Sequence, residues 1–129
     1  MRKHLNPEET ALIIIDMQND FCHEEGVSGK RNLGDIERFQ AVVEPIAALT
    51  DKAREVGVPV TFVYMTLDKS TISQAWAHKF DGLSIVEKGS WGADFYKLYP
   101  QEGDYVVEKH RYSAFIGTNL DLILRDRKS

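Results

Sequence analysis

A parallel α/β sheet is the fold class this sequence predicts, and three observations carry it. Ala11-Leu12-Ile13-Ile14-Ile15 is apolar without alternation, the pattern of a strand covered on both faces. A helix-spaced stretch and a second apolar run, Val58 to Met65, follow with short connections, the order of a strand–helix–strand crossover unit. A third run, Tyr105 to Glu108, stops at charge as the first does, at Asp16 and at Glu108-Lys109. Open α/β sheets hold their chemistry outside the carboxyl ends of their strands, so these stops are the first places to look for function.

The elements follow in order. After the first strand come loop signals at Gly26, Ser28-Gly29, Asn32 and Gly34. A helix is predicted from about Pro45 to Val56. Pro45 suits a first helical position, and Ile46, Leu49, Ala53 and Val56 recur at helical spacing. Gly57 ends it, and Pro59 is tolerated at the start of the second strand. Ser73 to Phe80 reads as a short helix carrying Trp76, Lys88 to Gly92 as a turn, and Asp94 to Leu98 as a helical turn closed by Tyr99-Pro100. After the third strand, Thr118 caps a helix whose buried stripe is Leu120, Ile123 and Leu124. An all-apolar first strand calls for a neighbour on each side, so a sheet of three strands is expected to leave a hydrophobic edge open to other chains.

With 129 residues the chain makes one domain, and 43% hydrophobic with 28% charged residues is an ordinary globular composition. The net charge of −4 is mild and Lys and Arg are scattered, so no nucleic-acid stripe is present and no nucleic-acid partner is expected. No apolar stretch approaches a signal or membrane span, and a single cysteine, Cys22, excludes an internal disulfide. The expectation is a cytoplasmic protein with no membrane partner.

Two residues stand out for chemistry. Asp16 ends the first strand, where aspartate is often a turn former, but the polar string Met17-Gln18-Asn19-Asp20-Phe21 that follows is unusual beside a buried strand. A carboxylate there can act as a general base. Lys109 lies between Val106-Val107 and Tyr112-Ser113-Ala114-Phe115. Strands lie about 4.8 Å apart, so its side chain reaches an aspartate one or two strands away, holding it ionised and bringing positive charge to a developing anion.

Here the chain resembles the isochorismatase-like family of cysteine hydrolases, which includes nicotinamidases, N-carbamoylsarcosine amidohydrolases and ureidoacrylate-type amidases. The matching residues are Ile13-Ile14-Ile15-Asp16-Met17-Gln18-Asn19-Asp20-Phe21, then Val107-Glu108-Lys109-His110-Arg111-Tyr112-Ser113-Ala114-Phe115, and the tail Gly117 to Arg125. The resemblance implies a three-layer α/β/α, Rossmann-like fold with a parallel sheet, six strands in the family and about three here. It implies catalysis by an Asp, Lys and Cys triad on a small amide or carbamoyl substrate, with Asp16 taking the thiol proton and Lys109 orienting aspartate and thiolate. The family's cysteine follows the next strand, and no such residue is present, so residues 1–129 are expected to be a single domain truncated at its carboxyl end. Cys22 is not the substitute, because a thiol beside an acid is not activated; it is expected to pack.

The aromatic residues expected to wall a substrate pocket are Phe21, Trp91, Tyr112 and Phe115. Nicotinamidase-type relatives hold a metal through an Asp-x-His spacing, whereas Thr66-Leu67-Asp68-Lys69-Ser70 has no histidine two residues after Asp68. His4, His23, His78 and His110 are dispersed, so no metal is expected, and no other cofactor. No phosphate-cradling glycine loop follows the first strand, which removes a dinucleotide-binding reading. Beside an incomplete hydrolase stand two other expectations: a non-catalytic interaction or homo-oligomerisation module, and one part of a split enzyme completed by a partner chain.

Overall fold

The computed structural model describes residues 4–80 and 83–126. Its strands are β1 (Leu12–Ile15), β2 (Val60–Met65) and β3 (Tyr105–Lys109). Its helices are α1 (Asn19–Cys22), α2 (Val27–Lys30), α3 (Ile36–Ala41), α4 (Val43–Glu55), α5 (Gln74–Phe80) and α6 (Leu120–Asp126). Short 3-10 turns occur at Pro7–Glu9 and Trp91–Ala93.

The strands form one parallel sheet in the order β1-β2-β3, with Ile14 opposite Phe62 and Met65 opposite Lys109. The predicted parallel α/β class is therefore observed. The open apolar edge expected of a three-stranded sheet falls on β1. Among the described residues β2 has neighbours on both sides, whereas β1 pairs only with β2. Burial follows pairing: Val60, Phe62 and Val63 are almost fully enclosed, while Ile15 at the end of β1 is 51% exposed.

The pleat sends alternate residues to opposite faces, and each face has its own core. On one face Ile14, Val60 and Phe62 pack with Met17, Cys22, Tyr96 and Ala53, with Val43 and Ile46 of α4 against them. On the other, Val63 and Val107 pack with Ala114 and Leu120, and Ile123 and Leu124 of α6 complete the cluster. Helices thus cover both faces of the sheet, giving the three layers. Thr118 acts as predicted, accepting from the Leu120 N–H through its hydroxyl at 3.3 Å.

Helix α4 begins at Val43, ahead of Pro45. Proline is tolerated there because amides of the first turn have no intrahelical partner; the Ile46 N–H, next along, bonds to the Val42 carbonyl at 3.0 Å. The buried face of α4 carries Val43, Ile46, Thr50 and Ala53, while Leu49 and Val56 of the predicted stripe are exposed. Gly57, at φ 79°, ends the helix in the left-handed conformation expected of it. The predicted helical turn over Asp94–Leu98 is absent: Asp94 to Tyr96 runs alongside Met17 to Asn19, and Lys97 then turns the chain at φ 56°. Phe95 bridges antiparallel to Gln18, the Tyr96 N–H donates to the Met17 carbonyl at 2.8 Å, and the Asn19 N–H donates to the Asp94 carbonyl at 2.9 Å. Pairing with a distant segment overrides local preference.

Candidate active site

Asp16 is the first residue after β1, and its backbone turns into the left-handed region at φ 61°. Aspartate tolerates that region better than most residues, because its short side chain bonds locally. The Asp16 N–H still donates to the Val63 carbonyl at 3.0 Å, so the turn starts from a fixed point on β2. Lys109 ends β3, on the far side of β2, and is only 2% exposed. Its ammonium reaches back across the strand end, with Nζ 3.3 Å from Asp16 Oδ2 and 2.8 Å from the Tyr112 carbonyl, to which it donates.

Two features make the Asp16 carboxyl unusual. Oδ1 is buried and accepts no hydrogen bond. Burial raises the carboxyl above the ordinary aspartate value, and the Lys109 charge and hydrogen bond pull it back only in part. An unpaired buried acceptor beside a cation can take a proton from an acidic group brought against it, and the cation steadies the charge that results.

The polar string after Asp16 has a different role from the one its sequence suggests. Gln18 is fully buried; its Nε2 donates to the Met65 and Ala93 carbonyls, and its Oε1 accepts from the Met65 N–H, each at 2.8 Å. The side chain thus pairs with the end of β2 much as a neighbouring strand would. Asn19 Nδ2 donates to the Trp91 carbonyl at 2.9 Å. Asp20 accepts from the Val27 N–H through Oδ1 at 3.0 Å and from the Val86 N–H through Oδ2 at 2.7 Å. Gly92 is required beside it, since a Cβ there would lie 2.1 Å from Asp20 Oδ2. These residues assemble the floor on which Asp16 stands.

The four aromatic residues proposed from the sequence divide into separate places. Tyr112 supplies the carbonyl that holds Lys109, and its exposed ring lies 5.3 Å from that of Trp76. Phe115 is exposed in the turn that follows. Phe21 is half-buried between two core clusters, and the half-exposed Trp91 meets His23 edge-on at 4.9 Å between centroids. Cys22 is buried in the core against α4, and burial, more than the charge of Asp16, pushes its thiol up. Asp68 is engaged in its own turn: Oδ1 accepts from the Ser70 N–H and hydroxyl at 2.8 and 2.6 Å and from the Thr71 N–H at 3.0 Å, lowering its carboxyl to about 2. Among the described residues no three His, Cys, Asp or Glu side chains stand together as a metal site, and no helix is long and apolar enough to cross a membrane.

One residue escaped the sequence reading. His110 does not stand apart: Nδ1 lies 2.8 Å from the Thr66 carbonyl and Nε2 3.5 Å from Glu108 Oε1. Its place immediately after Lys109 was the available signal.

Comparison with known proteins gives a consistent picture. The isochorismatase domain family matches residues 10–129. The ureidoacrylate amidohydrolase RutB of Agrobacterium fabrum is 34% identical, over 95% of this chain and 61% of its own length. A cysteine hydrolase from Pseudomonas syringae superposes with a TM-score of 0.84 at 28% identity, over 98% of this chain and 58% of that one. The N-carbamoylsarcosine amidase of Thermoplasma acidophilum gives a TM-score of 0.71 at 33% identity, over 92% and 61%. The chain spans about three fifths of the length of these relatives.

Proposed function

The chain belongs to the isochorismatase family, and we propose that it carries the aspartate–lysine part of a cysteine hydrolase that cleaves the C–N bond of a small amide or carbamoyl compound. Asp16 removes the proton from a thiol that lies outside these 129 residues, and Lys109 holds the carboxylate and thiolate in register. The sulfur attacks the carbonyl carbon and the C–N bond breaks. The amine leaves with the proton returned from Asp16, and water releases the acyl group from sulfur. Phe21, Trp91, Tyr112 and Phe115 are the proposed substrate contacts. A reducing cytoplasm is the proposed setting, supported by the lone unpaired cysteine.

The observation that carries this reading is the 3.3 Å approach of Lys109 Nζ to an aspartate whose second oxygen is buried and unpaired. Cys22 is the only cysteine in the sequence and is enclosed in the core, which supports an outside thiol. The test is ammonia release from a panel of small amides and N-carbamoyl compounds by the purified chain, with Asp16→Asn and Cys22→Ala beside it. Background rates are expected from all three, and Asp16-dependent turnover by the chain alone would refute the outside thiol. For the positive arm, residues 10–126 replace the matching segment of the Agrobacterium fabrum relative. That chimaera is expected to turn over, and Asp16→Asn or Lys109→Met in it to lower kcat by about a thousandfold or more. An unchanged rate in either variant would remove the assigned roles.

A second reading has one observation in its favour. Among the described residues β1 pairs on one side only, with Ile15 half exposed, which suits a strand supplied by a completing chain or a second copy. Light scattering that finds a well-folded monomer at high concentration would count against self-association.

A further inference from the structure

We infer that His110 is the positioning residue of Lys109: by tying the end of β3 to the end of β2 it keeps the lysine ammonium within reach of Asp16. Strand alternation sends Glu108 and His110 to the face opposite Lys109, so the imidazole acts through the backbone and not on a reacting group. The ladder between β2 and β3 runs out at the pair Met65 and Lys109. One step beyond it, the Thr66 N–H donates to the Lys109 carbonyl at 3.1 Å, and His110 Nδ1 lies 2.8 Å from the Thr66 carbonyl. A carbonyl only accepts, so Nδ1 carries the hydrogen and the tautomer is set. The two bonds bracket the peptide that joins Lys109 to His110. Without the second, the strand end is free to fray where the lysine leaves it.

On the other side of the ring stands the Glu108 carboxylate, to which Nε2 donates only when the imidazole is doubly protonated. Nε2 lies 3.5 Å from Glu108 Oε1, and Glu108 is itself held, accepting from the Tyr64 hydroxyl through Oε2 at 3.1 Å and facing Lys88 Nζ at 3.8 Å. The Thr66 hydroxyl lies 3.4 Å from Nδ1. Tyr64 of β2 and Lys88 of the loop before Trp91 thus hold the Glu108 carboxylate, while the imidazole itself meets Thr66 and Glu108.

This inference rests on the pairing of Asp16 with Lys109, and its test keeps the two apart. The readout is the Asp16 carboxyl titration followed by carbon NMR in the full 129-residue chain. Lys109→Met is the reference: losing the cation is expected to move the midpoint up, because the charge that favours ionisation is gone. His110→Gln is expected to move it in the same direction, outside the error of the titration, since its amide nitrogen falls where Nε2 was. His110→Asn puts an amide nitrogen near the place of Nδ1 and is expected to leave the midpoint at the wild-type value. If Asn and Gln behave alike in folded protein, the positioning role is overturned and His110 is only a structural residue. A midpoint that Lys109→Met itself does not move would overturn the pairing, and the inference with it.

Discussion

Gln18, Asn19 and Asp20 adjoin Asp16 in the chain and, like Asp16 and Lys109, bring polar groups under cover, yet the two sets are built on opposite terms. In the first, each side chain finds donors or acceptors on backbone of other segments: Gln18 with Met65 and Ala93, Asn19 with Trp91, Asp20 with Val86 and the nearer Val27. In the second, Asp16 takes a left-handed backbone, leaves one oxygen without a partner, and meets an ammonium that is itself nearly enclosed. A buried polar group that is fully satisfied rigidifies its surroundings; one left short costs stability until a partner meets it. The contrast shows why a polar string beside a buried strand is not one functional unit. Most of it is framework, and one carboxyl oxygen is left unpaired.

The comparison can be broken most directly at its rigid side. Gln18→Ala frees the Met65 N–H and two carbonyls at a fully buried position, and each such group costs about 1–3 kcal/mol. With some relief from entering water, a loss near 4 kcal/mol is expected in denaturant unfolding. A loss below about 1 kcal/mol would mean that the string is not framework.

Gly92→Ala is expected to cost somewhat less, about 2–3 kcal/mol, because its Cβ would press on Asp20 Oδ2 and the carboxyl must shift. Asp20→Ala in the same background sharpens the point. If the clash is the cause, the double variant is less destabilised than the two singles summed. Strict additivity would place the effect of Gly92 elsewhere.

The smallest effect belongs to the Asp16 carboxyl. Burial holds Asp16 above the ordinary aspartate value, so the folded chain keeps its proton where the unfolded chain, with a carboxyl near about 3.9, has lost it. More protons bound in the folded state means that stability falls as pH rises through that window and levels off above the folded value. Asp16→Asn removes this slope. Its stability relative to wild type is therefore expected to rise across the window, by less than about 1 kcal/mol because the side chain is a third exposed. Thermal melts at a series of pH values measure it, and a relative stability that falls with pH would show that Lys109 outweighs burial.

Much of this was legible from local pattern. The unbroken apolar run of β1, the apolar runs of β2 and β3, the glycine after α4 and the cap of α6 are each written in a few neighbouring residues, and so are the charged residues that end β1 and β3. Strand spacing alone made the reach of Lys109 to Asp16 reasonable. The rest depends on partners that no window contains. Leu49 and Val56 keep helical spacing yet face outward, because the sheet lies against the Val43, Ile46 and Ala53 side of α4. Asp94 to Tyr96 forms no helical turn because Met17, Gln18 and Asn19 pair with it.

The chain by itself determined the three strands, the helices α4, α5 and α6 and which charged groups stand at strand ends, because backbone sterics and hydrophobic period act over a few residues; α1, α2 and α3 lie where it showed only loop signals or none. Only the tertiary structure decided that β2 takes the centre, that Gln18 serves as a strand's partner, that Asp16 keeps an unpaired oxygen and that His110 ties β3 to Thr66. Those outcomes are hydrogen bonds across long sequence separations. Whether a buried donor or acceptor is met is known only once the distant segments that surround it are in place.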